Sequence, residues 1–287
     1  MRKIGFRTRR AGRNRARMAL VLRAGLLERL FWVARFLPDA IEHIAVDTPP
    51  DTTGDDADPF DIEWVDLRGR ERTAKNKRGR SQGTRAYSRV TGITLHQPAV
   101  DIRGPERTLS WPVHGSVLAG PHENSARVVL LHDPTAYLYH GHGFNPRDIG
   151  IEVGARACGI EGDPRTLWLP KKHSHLEGDA RLAKAVEATE GQLEGCRRLM
   201  RHYAQQVEAN GGSLQFIHAH RQSHKSRVSD PGSRIWQYCG EWAKAELGLS
   251  SGPGGWSLGS GHALPDAWTG EANGVRYNWR VDGRLDR

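Results

Sequence analysis

The stretch FIHAHRQSHKSRVSDPG, residues 216–232, carries the strongest structural signal in the sequence. Its apolar start leads into His218-Ala219-His220, which predicts a buried strand that ends in imidazoles. Ten residues after His220 comes Asp230, and the Pro-Gly pair behind it predicts a tight turn ahead of a helix. This spacing is long enough for a loop that returns the Asp230 carboxylate to the end of the strand.

A second imidazole, His96, ends the predicted strand GITLH, residues 92–96. With His220 and Asp230 it would supply two imidazoles and one carboxylate and leave a fourth position for water. That is the arrangement of a catalytic zinc site rather than a structural one. His218 is the alternative to His220, because residues two apart on a strand face the same side. The ten-residue spacing to Asp230 favours His220.

An acid lies inside a third apolar strand, DIGIEV, residues 148–153. A carboxylate in such a strand is costly to bury unless it is paired or used in chemistry. Glu152 therefore suits a general base, with a pKa raised by partial burial, that takes a proton from an activated water.

These segments occur in a recognisable order: ITLH, then YHGHGFNPRDIGIEV, then HAHRQSHKSRVSDPGSRIW. The set resembles the zinc-dependent N-acetylmuramoyl-L-alanine amidases of the type-2 class, which include phage lysozyme-like amidases and the animal peptidoglycan recognition proteins. The resemblance covers about residues 90–247. It implies one Zn²⁺ per chain, held by His96, His220 and Asp230, and a catalytic Glu152.

The resemblance also implies residues that shape the substrate groove. His140, in an aromatic-His pair, and Asn145, ahead of the DIGIEV strand, match family positions of this kind. One position departs from the pattern, because many members carry a Lys two residues before the last ligand and this chain has Val228. The neighbouring Arg227 is our candidate for the oxyanion donor, and His224 or Lys225 are the alternatives.

The function implied by the resemblance is hydrolysis of the amide between N-acetylmuramic acid and L-alanine in bacterial peptidoglycan. The alternative is a non-catalytic peptidoglycan-binding module. In either case the partner is peptidoglycan or its muropeptides, and we expect a monomer. We expect it to act in the periplasm or at the cell wall, after export or after cytoplasmic synthesis with delivery by lysis or injection.

Charge is distributed unevenly along the 287 residues, whose net charge is +9. Residues 1–36 contain 11 Lys and Arg and a single acid, a net of +10, so the remainder sums to −1. A basic balance confined to one end does not indicate a nucleic-acid partner. An apolar block at 18–37 predicts a helix that packs on the folded part or, as an amphipathic helix, brings residues 1–37 to an anionic membrane or outer-membrane lipid.

The alternation of apolar runs and turns predicts an α/β fold with a central mixed β-sheet flanked by helices. We expect three parts: a basic, partly disordered N-terminal extension (1–88), a catalytic domain (89–250) and a Gly/Trp-rich C-terminal tail (251–287). Further strands are predicted at 127–131, 136–139 and 214–218. Helices are predicted from residue 182 to 207, and from Ser233 to about residue 247.

Overall fold

The computed structural model describes residues 58–70, 83–99, 104–160 and 162–269. The predicted amphipathic helix over 18–37 lies outside these residues, as does the lipid contact predicted for residues 1–37. Among the helices of the described part, none combines the length and the apolar character that a membrane span requires.

Six strands form one mixed sheet. They are β1 (Asp61–Asp66), β2 (Gly92–His96), β3 (Gly115–Ala119), β4 (Ser125–Leu130), β5 (Asp148–Val153) and β6 (Phe216–Ala219). Their order across the sheet is β1-β4-β3-β5-β2-β6, and every neighbouring pair is parallel except β3 with β4. The predicted α/β class with a central mixed sheet is confirmed.

The helices are α1 (Gly178–Leu182), α2 (Glu190–Ala209), α3 (Ser233–Ile235) and α4 (Glu241–Glu246), and a π-helical turn (Trp236–Gly240) joins α3 to α4. Short 3₁₀ turns occupy Tyr87–Arg89, Pro105–Thr108, His142–Phe144, Pro164–Thr166, Lys171–His173, His220–Ser223 and Asp266–Trp268. The helix predicted from Ser233 to about residue 247 is therefore present, with the π turn at its centre.

The long helix α2 begins later than its apolar spacing predicts. Thr189 forms a capping box with Gln192, each side chain bonding the other residue's backbone N–H, and this fixes the helix start. Leu182, the predicted first residue, belongs to α1, and Val186 pairs with Arg156 in an isolated bridge. The prediction was wrong at this end because apolar spacing alone does not register a cap.

The two faces of the central strands have different chemistry. One face is apolar and packs with α2 and the α3–α4 segment in a single core; its members include Ile93, Leu95, Ile149, Ile151, Leu193, Met200, Tyr203, Ile217 and Trp236. The opposite face carries Thr94 and His96 on β2, and Asp148 and Glu152 on β5. The sheet thus directs its functional side chains to the face away from the long helix.

Three strand predictions differ from the structure. The predicted strand at 136–139 is wrong, because only Ala136 pairs, in an isolated bridge with Thr84. The central antiparallel strand β3 was missed because Gly115 and Ser116 weaken its strand signal. The edge strand β1 was missed because its sequence, DIEWVD, lies within an acidic block. Charged side chains are common on edge strands, where they discourage pairing with other chains.

Residues 251–269, the described part of the predicted Gly/Trp-rich tail, pack on the domain. Trp268 is completely buried, its ring lies 6.4 Å from that of Trp236, and its indole N–H donates to the carbonyl of Gly159. The guanidinium of Arg221 stacks 4.9 Å over the Trp268 ring. The segment therefore lies along the surface of the domain, and Trp268 anchors it in the core.

We predict that Trp268→Ala lowers the free energy of unfolding by about 3–5 kcal/mol, the usual cost of removing a buried Trp. Trp168→Ala is the matched control: that side chain is 52% exposed, and its loss should change stability by no more than about 0.5 kcal/mol. Urea denaturation of the two variants checks this. Equal stabilities would contradict the role of Trp268 as the core anchor of residues 251–269.

Candidate metal centre

Two neighbouring strands and one loop bring the predicted ligands together. His96 is the last residue of β2, and His220 directly follows β6, which pairs in parallel with β2. Parallel strands end at the same edge of a sheet, where α/β proteins usually bind their ligands. The loop after His220 returns Asp230 to this edge, just before α3 begins.

The three side chains converge within hydrogen-bonding distance of one another. Nδ1 of His96 lies 2.8 Å from Nδ1 of His220, which lies 2.8 Å from Oδ2 of Asp230. All three residues are buried, and their ligand atoms fall within 4.8 Å of one another. The structure therefore assembles the His96, His220 and Asp230 group expected from the sequence.

The donor set fits a zinc ion. The Nδ1 atoms of His96 and His220 face each other, so at most one of them carries a hydrogen and the other directs a lone pair into the group. Nε2 of His220 is buried and has no hydrogen-bond partner among the described residues. Burial and the neighbouring imidazoles hold the pKa of His96 well below its ordinary value, so that ring is neutral, the form that binds metals. Two imidazoles and a carboxylate match a three-ligand catalytic zinc site.

Gln97, which the sequence analysis did not single out, holds the carboxylate of Asp230. Its backbone N–H donates to Oδ1 of Asp230 over 3.0 Å, and its side chain donates to the carbonyl of Ser229 and accepts from the N–H of Ala157. The only signal in the sequence was an amide residue directly after His96, at the end of β2. Such outer partners orient metal ligands.

His218, the alternative ligand, lies outside the group. Its Nδ1 is 2.6 Å from Oδ2 of Asp148, which also accepts from the hydroxyl of Thr94. Its ring stacks on Phe144 with centroids 4.2 Å apart and planes 5° from parallel. His218 is thus held within the polar face of the sheet.

A cleft of about 440 Å³ opens over the group. Its lining includes His96, His220 and Asp230, together with Trp111, Tyr139, His140, Glu152 and Arg227. Glu152 is half-buried and pairs in register with His96 on the adjacent strand. Burial raises the pKa of Glu152 to about 8, with the charge of Asp230 adding to the rise and that of Arg227 opposing it. A carboxyl with a raised pKa beside a metal site suits proton transfer.

Of the three basic candidates for the oxyanion donor, Arg227 is the one that lines the cleft. His224 stacks on His142 with centroids 4.5 Å apart, and its Nδ1 contacts the hydroxyl of Ser226. Lys225 is exposed, and its carbonyl contacts Nε2 of His262. The geometry therefore favours Arg227.

The two groove-shaping residues occupy different places. His140 lines the cleft, but both of its ring nitrogens contact protein atoms: Nδ1 lies 3.0 Å from Nε2 of His96, and Nε2 lies 3.1 Å from the carbonyl of Asp148. Asn145 is buried, and its side-chain oxygen accepts from the N–H of Gly141 over 2.6 Å. Asn145 thus shapes the loop that carries His140. A direct substrate contact by either residue stays a prediction.

Comparisons with known proteins extend this description. No protein-family model matches the sequence, and no curated protein matches it. Solved structures of peptidoglycan-directed proteins do resemble it. They include the N-acetylmuramoyl-L-alanine amidase LysC from Clostridium intestinale (13% identity, TM-score 0.35), which covers 66% of this chain and 99% of its own. Another is the Ph2119 endolysin of a Thermus scotoductus bacteriophage, with 14% identity and a TM-score of 0.34. The match covers 61% of this chain and 98% of the endolysin chain.

A third similar structure is the ectodomain complex of peptidoglycan recognition proteins LCa and LCx bound to tracheal cytotoxin. It shares 17% identity with this chain at a TM-score of 0.39, and covers 65% of this chain and 98% of its own. These names agree with the resemblance that the sequence motifs indicate.

The pKa of Glu152 predicts how the stability of the metal-free protein changes with pH. Between the ordinary value of 4.5 and the raised value of about 8, the folded state holds a proton that the unfolded state has released. The free energy of unfolding contributed by this group should therefore fall as pH rises from about 5 to 8.

Glu152→Gln should remove this part of the pH dependence, because an amide does not titrate. Urea denaturation of both metal-free proteins at the two ends of this range provides the measurement. An equal pH dependence in wild type and variant would contradict a raised pKa at Glu152.

Proposed function

We propose that this protein is a zinc-dependent amidase that hydrolyses the bond between N-acetylmuramic acid and L-alanine in bacterial peptidoglycan. The observation that carries the proposal is the convergence of His96, His220 and Asp230 in an open cleft, with Glu152 on the adjacent strand. The sequence motifs supply the substrate class by resemblance.

The residues of the cleft divide the chemistry among them. His96, His220 and Asp230 would hold the zinc ion, which supplies a Lewis acid for the scissile carbonyl and lowers the pKa of the attacking water. Glu152 accepts the proton of that water at its carboxylate and passes it to the nitrogen of the leaving L-alanine. A pKa above the usual range for Glu suits both steps, because the group must take up a proton and then give it away.

The walls of the cleft suit an amphipathic substrate. Trp111 and Tyr139 present aromatic surface beside the metal centre, and the Tyr139 side chain is 48% exposed. Aromatic faces pack against the apolar faces of sugar rings, while the charged residues at the centre of the cleft contact the scissile amide. The guanidinium of Arg227 provides the charge that stabilises the oxyanion formed during attack.

An enzyme of this kind acts on the bacterial cell wall, and its partner is peptidoglycan or the muropeptides released from it. A non-catalytic peptidoglycan-binding module would use the same cleft. The presence of all three ligands together with Glu152 favours catalysis, because binding alone does not require a carboxyl held beside a metal site.

Mass spectrometry of purified muropeptides after incubation with the zinc-loaded protein tests the proposal. We expect free stem peptide and intact sugar, no reaction in the presence of a chelator, and a loss of about 10²–10⁴-fold in rate for zinc-loaded Glu152→Gln. Binding of muropeptides without cleavage would support the binding module instead. Cleavage of a different bond would overturn the substrate assignment.

Arg227→Ala should lower kcat by about 10²–10³-fold, the usual effect of losing one oxyanion donor, with a smaller change in KM. Lys225→Ala is the matched control, a basic residue two positions away that does not line the cleft. Steady-state kinetics on one purified muropeptide compares the two. A larger loss of kcat in Lys225→Ala would instead identify Lys225 as the oxyanion donor.

A further inference from the structure

A chain of buried polar contacts leads from Arg85 to the metal centre. The carbonyl of Asp148 accepts from Nη2 of Arg85 over 2.7 Å and lies 3.1 Å from Nε2 of His140. Nδ1 of His140 in turn lies 3.0 Å from Nε2 of His96. The ring of His140 therefore bridges a backbone carbonyl and one of the three metal ligands.

The chemistry of these atoms fixes where the hydrogens are. A carbonyl oxygen only accepts, so Nε2 of His140 must carry the hydrogen that it donates to Asp148. In the neutral ring Nδ1 then has a lone pair and must accept, so Nε2 of His96 carries the next hydrogen. The remaining nitrogen of His96, Nδ1, is left with its lone pair toward His220 and Asp230.

We propose that His140 is a positioning residue that holds His96 in the tautomer with a free Nδ1, ready to bind the metal. The inference rests on the metal centre of the proposed function and is independent of which bond is cut. It gives His140 a role in the metal centre rather than in contact with substrate.

The surroundings of His140 keep its ring in one orientation. The ring packs directly on Gly150 of β5, where a Cβ would lie 2.7 Å from Cγ of His140, so only glycine leaves space for it. The following loop is held by the bond from Gly141 to Asn145, and Arg85 donates to the backbone carbonyl of Asn145 over 2.7 Å. These contacts fix both the position of the ring and the acceptor that sets its tautomer.

The second imidazole of the centre has no equivalent support. Nδ1 of His220 lies 2.8 Å from a carboxylate oxygen of Asp230, so in the metal-free protein this nitrogen carries a hydrogen. Its Nε2 is buried without a hydrogen-bond partner in the described part of the chain. His96 is thus preset to bind a metal through Nδ1, whereas His220 can bind through Nδ1 only after its hydrogen has moved to Nε2.

Two-bond ¹H–¹⁵N correlation spectra of the metal-free protein read these tautomers directly. At a pH above 7, where ordinary imidazoles are neutral, His96 and His140 should both show the Nε2–H pattern and His220 the Nδ1–H pattern. An Nδ1–H pattern for His96 in the wild-type protein would overturn the proposal. This measurement needs no substitution that could disturb folding.

If His140 holds His96 ready to bind the metal, loss of His140 should weaken zinc binding. Zinc affinity, measured with Zn²⁺ alone against a competing chelator, tests this. His140→Leu removes the acceptor and should weaken zinc binding by about 10–100-fold, the usual effect of losing such an outer partner. His140→Asn places a carbonyl oxygen near the position of Nδ1 and should restore most of the affinity. His122→Ala, at an exposed imidazole, is the control and should bind as the wild type does.

The outcomes separate this inference from the proposed function. Wild-type affinity in His140→Leu, or equal losses in the Leu and Asn variants, would contradict the positioning role. If the tautomers and affinities are as expected but muropeptides remain uncleaved, the amidase proposal fails and the role of His140 in the metal centre stands.

Discussion

Parallel pairing of β2 with β5 and β6 is the constraint on which the whole site depends. The pairing places Thr94 and His96 beside Asp148 and Glu152 on one face, while the other face of the same strands is occupied by the core under α2. A shift of one residue in this register would send the polar side chains into the core. The apolar packing of one face therefore secures the position of the polar side chains on the other.

That polar face is stable because its buried groups satisfy one another. The carboxylate of Asp148 accepts from the hydroxyl of Thr94 and contacts His218. The backbone carbonyl of Asp148 accepts from Arg85 and contacts His140. Arg85 is buried and has no carboxylate partner among the described residues. Burial lowers its pKa to about 10, which still leaves it cationic. Buried polar and charged side chains of this kind do not destabilise the fold when each has a hydrogen-bond partner.

The convergence of His96, His220 and Asp230 could be predicted from sequence because their signals are local. A strand that ends in an imidazole identified His96, and a ten-residue spacing to an acid ahead of a turn identified His220 and Asp230. Glu152 followed from the two-residue period of β5. Each of these inferences needs only the direction of a side chain on a strand and the reach of a loop.

The rest could not be predicted because it depends on contacts between distant segments. The part played by His140 is set by Gly150 and the carbonyl of Asp148, and that of Gln97 by loops that follow much later in the chain. The burial of Trp268 depends on a surface created by α3 and the π turn. A Gly-rich sequence indicates irregular structure, but it does not say whether that structure packs.

The packing of residues 251–269 also bears on the order in which the protein is completed during synthesis. The backbone of the ligand-bearing loop is bonded to this segment, because Leu258 and His262 donate to the carbonyls of Gln222 and Arg221, and Arg221 rests on Trp268. A ribosome releases these residues after both imidazoles and the carboxylate have already been made. The backbone bonds that fix the loop between His220 and Asp230 to residues 258–262 therefore form only after all three side chains of the group have been synthesised.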